Sequence, residues 1–497
     1  MKQLKYFALA CAVLFVALSV SLVQADVKMP AVFSDNMVLQ RGIEVPVWGW
    51  ADAGEKIAVV FNGQTKNATA DANGKWSLKL DAMRAGGPFE MVVESSNRIA
   101  FNNVMLGDVW ICSGQSNMQW TVKDSDNPEE EIKNANYPNI RLLTVPRKST
   151  ATLQDNFEGQ WVTCSPETIP QFSAVAYFFG RSLHQRLEQN VAIGLIHTSW
   201  GGSSCETWIP EGVVERYKDY DQIMQRRANH LKDNPNGGDN QQAGYLFNAM
   251  INPLLPYGIK GAIWYQGETN AGRAYQYRTL FPLMIQTWRE VWGQGDFPFY
   301  FVQLANFEAG GDPVLGQSAW AELREAQTMA LNLRNTGMAV TIDIGNSKDI
   351  HPRNKQGVGN RLASWALESE NQNRRSAPSH PPTLSRLIIP FSPRFQSMSI
   401  QGGKVTINFT TTSGGLKTKD DGPVTGFIIA GADRKFVVAD AVIEGGRVIV
   451  SSPEVPNPVA VRYAWANDPK CNLVGWPDLP VCPFRTDMWP GVTIDNK

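Results

Sequence analysis

The chain has 497 residues, of which 43% are hydrophobic and 19% are charged, which suits a globular protein of two or three domains. Its 46 basic and 47 acidic residues give a formal net charge of -1, so it lacks the basic excess that binds nucleic acid or an anionic membrane surface. We therefore expect no nucleic-acid partner.

The first 25 residues have the pattern of an export signal. Lys2 and Lys5 precede an apolar run over residues 6–20, and residues 23–25 (VQA) fit a small-residue cleavage site. The run is too short for a permanent membrane span, and no second apolar segment of spanning length follows it. We expect a mature chain that begins at Asp26, is exported to the periplasm or beyond, and is not inserted in a membrane.

Residues 26–104 predict a small N-terminal β-sandwich. VPVWGWA (45–51) alternates as a strand does. The pairs Asn62-Gly63 and Asn73-Gly74 each lie between strand-like segments, which is a strong hairpin signal.

Residues 105–377 predict an α/β domain, because short apolar runs alternate with helical patterns. The helical patterns include one that starts at Asn127-Pro128 and one over 173–189. The predicted strands, read as buried members of a parallel sheet, are 108–112, 191–197, 261–265, 299–304 and 338–344.

From residue 378 to residue 497 the sequence predicts a second β-rich region. PSHPP (378–382) suggests a linker, and the segments 399–409 and 441–452 each suggest a hairpin around a Gly-Gly pair.

Polar loops follow predicted strands at the edge where an open parallel sheet builds its site. These loops are GQSNM (114–118), WGGS (200–203), YQGETN (265–270) and DIHP (349–352).

Together these loops hold the groups that serine-based ester hydrolysis needs. Ser116 is the candidate nucleophile, His351 the candidate base, and Asp349 the carboxylate that orients the imidazole. The backbone N–H groups of Ser116 and Gly202 and the side-chain amide of Asn270 are the candidate oxyanion donors.

Cysteine spacing gives no support for a metal, because the chain has no CxxC motif and no Cys/His cluster with zinc spacing. Cys471 and Cys482 are near in sequence, and export permits a disulfide between them. Cys112 and Cys205 are expected to be buried, inert thiols.

Four blocks resemble, in order, the motifs of the SGNH hydrolases, and most closely those of the sialate O-acetylesterase family: GQSNM (114–118), SWGGSSCETW (199–208), WYQGETN (264–270) and DIHPRNKQGVGNRLA (349–363). YAW (463–465) and PFRTD (483–487) extend the resemblance towards the C-terminus. The resemblance implies an SGNH-type, flavodoxin-like three-layer α/β/α catalytic domain. It also implies a serine esterase that removes O-acetyl groups from sialic acids through an acetyl-enzyme, without a metal or other cofactor.

The acid departs from the family pattern. SGNH enzymes usually have Asp-x-x-His, whereas this chain has Asp-x-His with Asp349. Asp343, at a predicted strand end, is the rival, and a backbone carbonyl could replace an acid altogether.

His197 is the rival base, because it also ends a predicted strand, but no acid lies near it in sequence and no Pro-led helix follows it. Glu268 has no second acid in a comparable loop, which argues against a glycosidase and leaves a structural or substrate-binding role. The tentative substrate-binding residues, with Asn117 a further candidate for lining the site, are Gln115, Trp200, Gln266 and Glu268.

Two alternatives stay open. The same chemistry could serve acetylated xylan or another polysaccharide, because a fold does not settle the leaving group. The chain could also be a carbohydrate-binding protein with an inert hydrolase centre.

Overall fold

A computed structural model describes residues 26–187, 191–235, 238–308, 311, 314–376, 391–410 and 415–497. The predicted export signal (1–25) and linker (378–382) lie outside these ranges. Within the ranges, no helix is both long and apolar enough to cross a membrane.

Strands make up the first part of the described chain. They are β1 (Val38–Gln40), β2 (Val45–Trp50), β3 (Lys56–Phe61), β4 (Gln64–Thr69), β5 (Lys75–Leu80), β6 (Gly86–Glu94) and β7 (Arg98–Gly114). Strand β2 pairs with β5, while β3 pairs with β4 and β6, and β6 pairs with β7. The two sets share an apolar core that includes Val47 from β2 and Val59 from β3.

The two Asn-Gly pairs behave differently. Asn62 and Gly63 both have positive φ and join the paired strands β3 and β4, so this predicted hairpin is confirmed. The second predicted hairpin is wrong: Asn73-Gly74 lies between β4 and β5, but β5 pairs with β2. This turn carries the chain from one sheet to the other.

Strand β7 is long enough to belong to two layers of structure. Its first half pairs antiparallel with β6, and its second half pairs with strands of a central sheet. The predicted border at 104/105 falls inside this strand.

The central sheet has the order β13-β12-β11-β7-β10-β8-β9. Neighbours from β13 to β8 run parallel, and β9 runs antiparallel to β8. Its further strands are β8 (Tyr137–Thr144), β9 (Val162–Cys164), β10 (Ala192–Ser199), β11 (Gly261–Tyr265), β12 (Phe299–Val302) and β13 (Thr336–Ala339). The last predicted strand, 338–344, is displaced, because the chain leaves the sheet after Ala339 and turns at Thr341, whose Oγ1 donates to the Gln303 carbonyl.

Helices cover both faces of this sheet. They are α1 (Ser116–Gln119), α2 (Pro128–Lys133), α3 (Ala174–Arg186), α4 (Glu211–Val214), α5 (Asp221–Asp233), α6 (Ala274–Trp292), α7 (Ala319–Met329) and α8 (Lys355–Ser376). Ile263 of β11 packs with α3 and α8, whereas its neighbour Trp264 packs with α6 and α7 on the opposite face. This alternation produces three layers and confirms the predicted α/β/α class with a parallel central sheet.

The caps of two helices show how local sequence sets their starts. Ser173 caps α3, since its Oγ accepts from Ala176 N–H at 3.2 Å. Helix α2 begins at Pro128 as predicted, but Asn127 has a φ of 52° and its side chain makes no capping hydrogen bond.

The C-terminal region is β-rich, as predicted. It forms the sheets β14-β15-β20-β19, β16-β22-β23 and β18-β17-β21-β24, and the pairs β14/β15 and β19/β20 are the two predicted hairpins. Its strands are β14 (Arg394–Gln401), β15 (Lys404–Thr410), β16 (Leu416–Thr418), β17 (Phe427–Ala430), β18 (Phe436–Val438), β19 (Asp440–Glu444), β20 (Arg447–Ser451), β21 (Ala460–Tyr463), β22 (Leu473–Gly475), β23 (Leu479–Pro480) and β24 (Phe484–Arg485).

Helix α7 joins the C-terminal region to the central sheet. The buried Arg324 guanidinium donates to the carbonyls of Leu304 and Ala305 beside β12, and to those of Ala466 and Asn467 beyond β21. One side chain of α7 thus holds two distant segments.

The cysteines from residue 112 onward are all free thiols, so the disulfide that export would permit does not form. Cys482 instead lies 3.4 Å from Gln303 Nε2, in the interior between the C-terminal region and the sheet. Cys112 and Cys205 are buried as expected, and burial raises the pKa of both thiols well above the ordinary value, which favours the unreactive thiol form.

Gly114, at the end of β7, makes a close contact with the neighbouring strand that can be tested. Its φ is 137°, and a Cβ there would lie 2.2 Å from the Tyr265 carbonyl oxygen of the paired strand. We expect Gly114→Ala to destabilise the fold by about 1–3 kcal/mol, as overpacking does, and to lower the melting temperature. Gly212→Ala is the matched control, because that position is helical and open. Equal melting temperatures for the two variants would contradict this account.

Candidate active site

Ser116 stands at a sharp strand-to-helix corner. Strand β7 ends at Gly114, Gln115 is extended and its N–H donates to the Tyr265 carbonyl at 2.9 Å, and Ser116 opens α1. Asn117 and Met118, which follow, are buried, whereas Ser116 stays partly exposed. The corner therefore presents one hydroxyl to solvent from an otherwise buried turn.

His351 lies against this hydroxyl. Its Nε2 is 2.8 Å from Ser116 Oγ, and its ring stacks on Trp120 with centroids 5.0 Å apart and an interplanar angle of 16°. Burial lowers the pKa of His351 below its ordinary value of 6.5; the charge of Lys355 lowers it further, and that of Asp349 raises it. A neutral imidazole is thus favoured near neutral pH, and it can accept the serine proton.

The two candidate acids are in different surroundings. Asp349 Oδ1 is 3.8 Å from His351 Nδ1, which is beyond hydrogen-bond distance, and it accepts the backbone N–H of His351 at 2.8 Å. Its side chain is 49% exposed. Asp343 forms a two-point ion pair with Arg361 at 2.6 and 2.7 Å. Asp349 is therefore the acid beside the imidazole, whereas Asp343 has another partner.

Two backbone N–H groups beside the serine are available as donors. A Cβ on Gly201 would lie 3.3 Å from Ser116 Cβ, so the glycine loop adjoins the hydroxyl. Gly201 N–H donates to Gln119 Oε1 at 2.7 Å, and its carbonyl accepts from Asn240. In the described chain, neither Ser116 N–H nor Gly202 N–H donates to a protein acceptor.

Asn270 is buried and forms hydrogen bonds with the loop that follows β10. Its Nδ2 donates to Glu206 Oε2 at 3.0 Å, and its Oδ1 accepts from the Cys205 N–H and from Gln266 Nε2. Glu206 is itself buried and paired with Arg273. One Nδ2 hydrogen of Asn270 is left over for another acceptor.

The tentative substrate-binding residues divide into two groups. Gln115 and Gln266 are buried; Gln115 accepts from Gly267 N–H, and Gln266 donates to the Ser203 carbonyl, so both amides hold loops together. Trp200 is partly exposed, and Glu268 is partly exposed as a residue although its carboxylate oxygen Oε2 is buried.

His197 cannot compete with His351 for the serine. It is buried on β10 opposite Cys112, with its Nε2 2.6 Å from Ser199 Oγ. Burial lowers its pKa to about 4, so it stays neutral inside the sheet.

Three residues near the site had no predicted role: Trp120, Glu206 and Lys355. Glu206 and Lys355 lie inside the quoted motif blocks, but no local pattern links them to Asn270 or Asn117, because these contacts form only when distant loops meet. Over the ranges that the structure describes, no group of three or more His, Cys, Asp or Glu side chains could hold a metal ion.

The fold is of the SGNH type, and the protein is a carboxylic ester hydrolase. The family described as "Carbohydrate esterase, sialic acid-specific acetylesterase" matches residues 106–368, and the chain belongs to this family.

Similar proteins agree with this membership. The sialate O-acetylesterase of Homo sapiens is 33% identical over 365 residues, covering 66% of this chain and 68% of that protein. The sialate O-acetylesterase of Mus musculus is 32% identical over 392 residues, covering 67% and 71%. The crystal structure of a carbohydrate acetylesterase from Xanthomonas citri is 39% identical, covers 93% of this chain and 100% of that one, and superposes with a TM-score of 0.83.

The contributions of Asp349 and Asp343 to activity and to stability can be distinguished by replacing each in turn. We expect Asp349→Asn to lower kcat/KM for an aryl acetate by about 5-fold, because a half-exposed ion pair is worth about 1 kcal/mol. Asp343→Asn removes the ion-pair partner of Arg361 and leaves its hydrogen bond to the Val340 carbonyl, so we expect a lower melting temperature and little change in kcat/KM. The assignment is wrong if Asp343→Asn loses the activity and Asp349→Asn keeps it.

Proposed function

We propose that this protein removes O-acetyl groups from sialic acids through an acetyl-enzyme on Ser116. The single observation that carries the chemistry is the 2.8 Å contact of Ser116 Oγ with His351 Nε2, beside two N–H groups without protein acceptors. The human and mouse relatives are sialate O-acetylesterases, which supports the choice of sialic acid.

In the first half-reaction, His351 Nε2 takes the hydroxyl proton while Ser116 Oγ attacks the acetyl carbonyl. The N–H groups of Ser116 and Gly202, with the second Nδ2 hydrogen of Asn270, stabilise the oxyanion. The intermediate collapses, the bond to the sugar oxygen breaks, and His351 returns the proton to that oxygen. The deacetylated sugar leaves, and the acetyl group stays on Ser116.

In the second half-reaction, His351 takes a proton from water, which attacks the acetyl-enzyme. The second oxyanion collapses, Ser116 recovers its proton from His351, and acetate departs. In both halves the imidazolium is stabilised by the Asp349 carboxylate and by the face of Trp120.

We also propose that the protein is exported. The support is the sequence of residues 1–25, with a charged start, an apolar run and a small-residue cleavage site. Mass spectrometry of the protein recovered outside the cytoplasm should give a mature chain beginning at Asp26, and an intact Met1 there would contradict this proposal.

Replacement of the serine tests the nucleophile. We expect Ser116→Ala to reduce hydrolysis of an aryl acetate by at least about 1,000-fold, because the hydroxyl forms the covalent intermediate. Ser113→Ala is the control: this buried hydroxyl lies in β7, three residues before Ser116, and has no hydrogen-bond partner within the described ranges, so its loss should leave the rate near wild type. Unchanged hydrolysis by the Ser116 variant would show that another residue is the nucleophile.

The substrate is tested by acetate release from O-acetylated sialic acid and from acetylated xylan. We expect the higher kcat/KM on the sialic acid. A preference for xylan would favour the polysaccharide alternative, which the likeness to the carbohydrate acetylesterase of Xanthomonas citri also supports. No release from any acetyl ester would favour the binding-protein alternative.

The rate should depend on the neutral form of His351. Its pKa is lowered from 6.5, so kcat/KM should hold its full value at pH 7 and fall as the pH drops below 6.5 and the imidazole becomes protonated. An acid limb centred above pH 6.5 would contradict the environment described for this histidine.

A further inference from the structure

A buried charged network lies behind the Ser116–His351 pair. Lys355, the first residue of α8, is fully buried, and its Nζ donates to Asn117 Oδ1 at 2.5 Å. Asn117 Nδ2 donates to Glu268 Oε1 at 2.6 Å. The other carboxylate oxygen of Glu268 is buried and has no hydrogen-bond partner in the described chain.

Stability alone does not account for this network. Removing an ammonium and a carboxylate from water costs several kcal/mol per ion, and apolar replacements of buried ion pairs are often as stable. Here the two charges do not touch, because the Asn117 amide lies between them.

The network contacts two neighbours of His351, the Ile350 carbonyl and the Trp120 ring. Asn117 Nδ2 also donates to the carbonyl of Ile350 at 3.0 Å, which fixes the backbone immediately before the histidine. The Trp120 ring that stacks on the imidazole also has Lys355 Nζ 5.7 Å from its centroid. The ammonium thus shares both a hydrogen-bonded partner and an aromatic partner with the histidine loop.

The charged groups that face these two residues come from several loops. Lys355 is influenced by Glu268 after β11, by Asp349 before α8 and by Asp126 before α2, and the Tyr265 ring lies 5.6 Å from its Nζ. His351 is influenced by Lys355 and Asp349.

We propose that Lys355, Asn117 and Glu268 form a positioning unit that holds His351 against Ser116, and that the Lys355 charge sets the pH range in which His351 acts as a base. This inference rests on the proposed role of His351. A cation near the imidazole disfavours its protonated form, so the histidine stays a base at lower pH than it otherwise would. Burial lowers the pKa of Lys355 to about 7, so Lys355 is charged over the acid range where this matters.

The test replaces the charge and follows the pH profile. With Lys355→Met, we expect the acid limb of kcat/KM to move up by about half a pH unit, equal to about 3-fold in rate on that limb, because His351 becomes easier to protonate. The plateau value should also fall, since Asn117, which donates to the Ile350 carbonyl, loses the Lys355 contact that fixes it. Lys348→Met is the matched control, because Lys348 is exposed and only three residues from His351. Its acid limb should stay in place.

Lys355→Arg separates charge from packing. The larger guanidinium keeps the charge but disturbs the site, so we expect the wild-type acid limb with a lower plateau. If Lys355→Met keeps the wild-type acid limb, the electrostatic part of the proposal is wrong. If Lys355→Met keeps both the wild-type acid limb and the wild-type plateau, the whole proposal is wrong.

An NMR titration of the His351 side chain gives a readout that does not need turnover. In the Ser116→Ala background, Lys355→Met should move the His351 titration to higher pH, with His351→Gln used to assign the signal. If this shift occurs while the wild type hydrolyses no acetyl ester, the proposed function fails and the positioning network stands. No shift in a folded variant means that the network inference fails, whatever the activity.

Discussion

The parallel register around Gly114 is the constraint on which the site depends. Gly114 of β7 pairs with Ser199 of β10 on one side and with Tyr265 of β11 on the other. Three strands therefore end level with one another, and the loops that carry Ser116, Gly202 and Asn270 start from the same edge. A shift of one residue in either pairing would separate the hydroxyl from its neighbours and turn side chains to the opposite face.

Burial, and not residue type, distinguishes the two strand-end histidines. His197 lies within β10, where it contacts Ser199 Oγ and the edge-on ring of Phe172, whereas His351 lies on a loop at the sheet edge. An imidazole that alternates between neutral and charged forms needs partners for the charge. The loop places a half-exposed carboxylate, Asp349, 3.8 Å from the His351 ring, whereas the residues described around His197 include no such carboxylate.

Sequence patterns predicted most of the parts that depend on local periodicity. The buried runs of β10, β11 and β12 were placed, and so were helix α3 and the hydroxyl at Ser116. Strand β8 was missed, because it carries the buried Arg141 and does not look like an apolar run. Strand β13 was displaced, because the apolar pattern continues past Ala339 although the chain has left the sheet.

The roles of polar side chains were harder to predict, because they depend on contacts between loops distant in sequence. Gln115 and Gln266 have residue types that suit sugar binding, yet their amides satisfy backbone groups of adjacent loops. The meeting of Asn117 with Lys355 spans 238 residues. The periodicity of the sequence does not predict such a contact. Only the folded structure shows which polar groups become hydrogen-bond partners.

The guanidinium of Arg324 makes the C-terminal region part of the interior of the α/β unit. Two of its carbonyl acceptors lie 142 and 143 residues further along the chain, and Glu322 on the same helix accepts from the Thr493 N–H, 171 residues away. A chain that lacked these C-terminal segments would leave a buried cation and a buried carboxylate short of partners, and a buried charge that loses its partners destabilises the fold. Helix α7, and through it the sheet that carries the candidate active site, therefore depends on the C-terminal region.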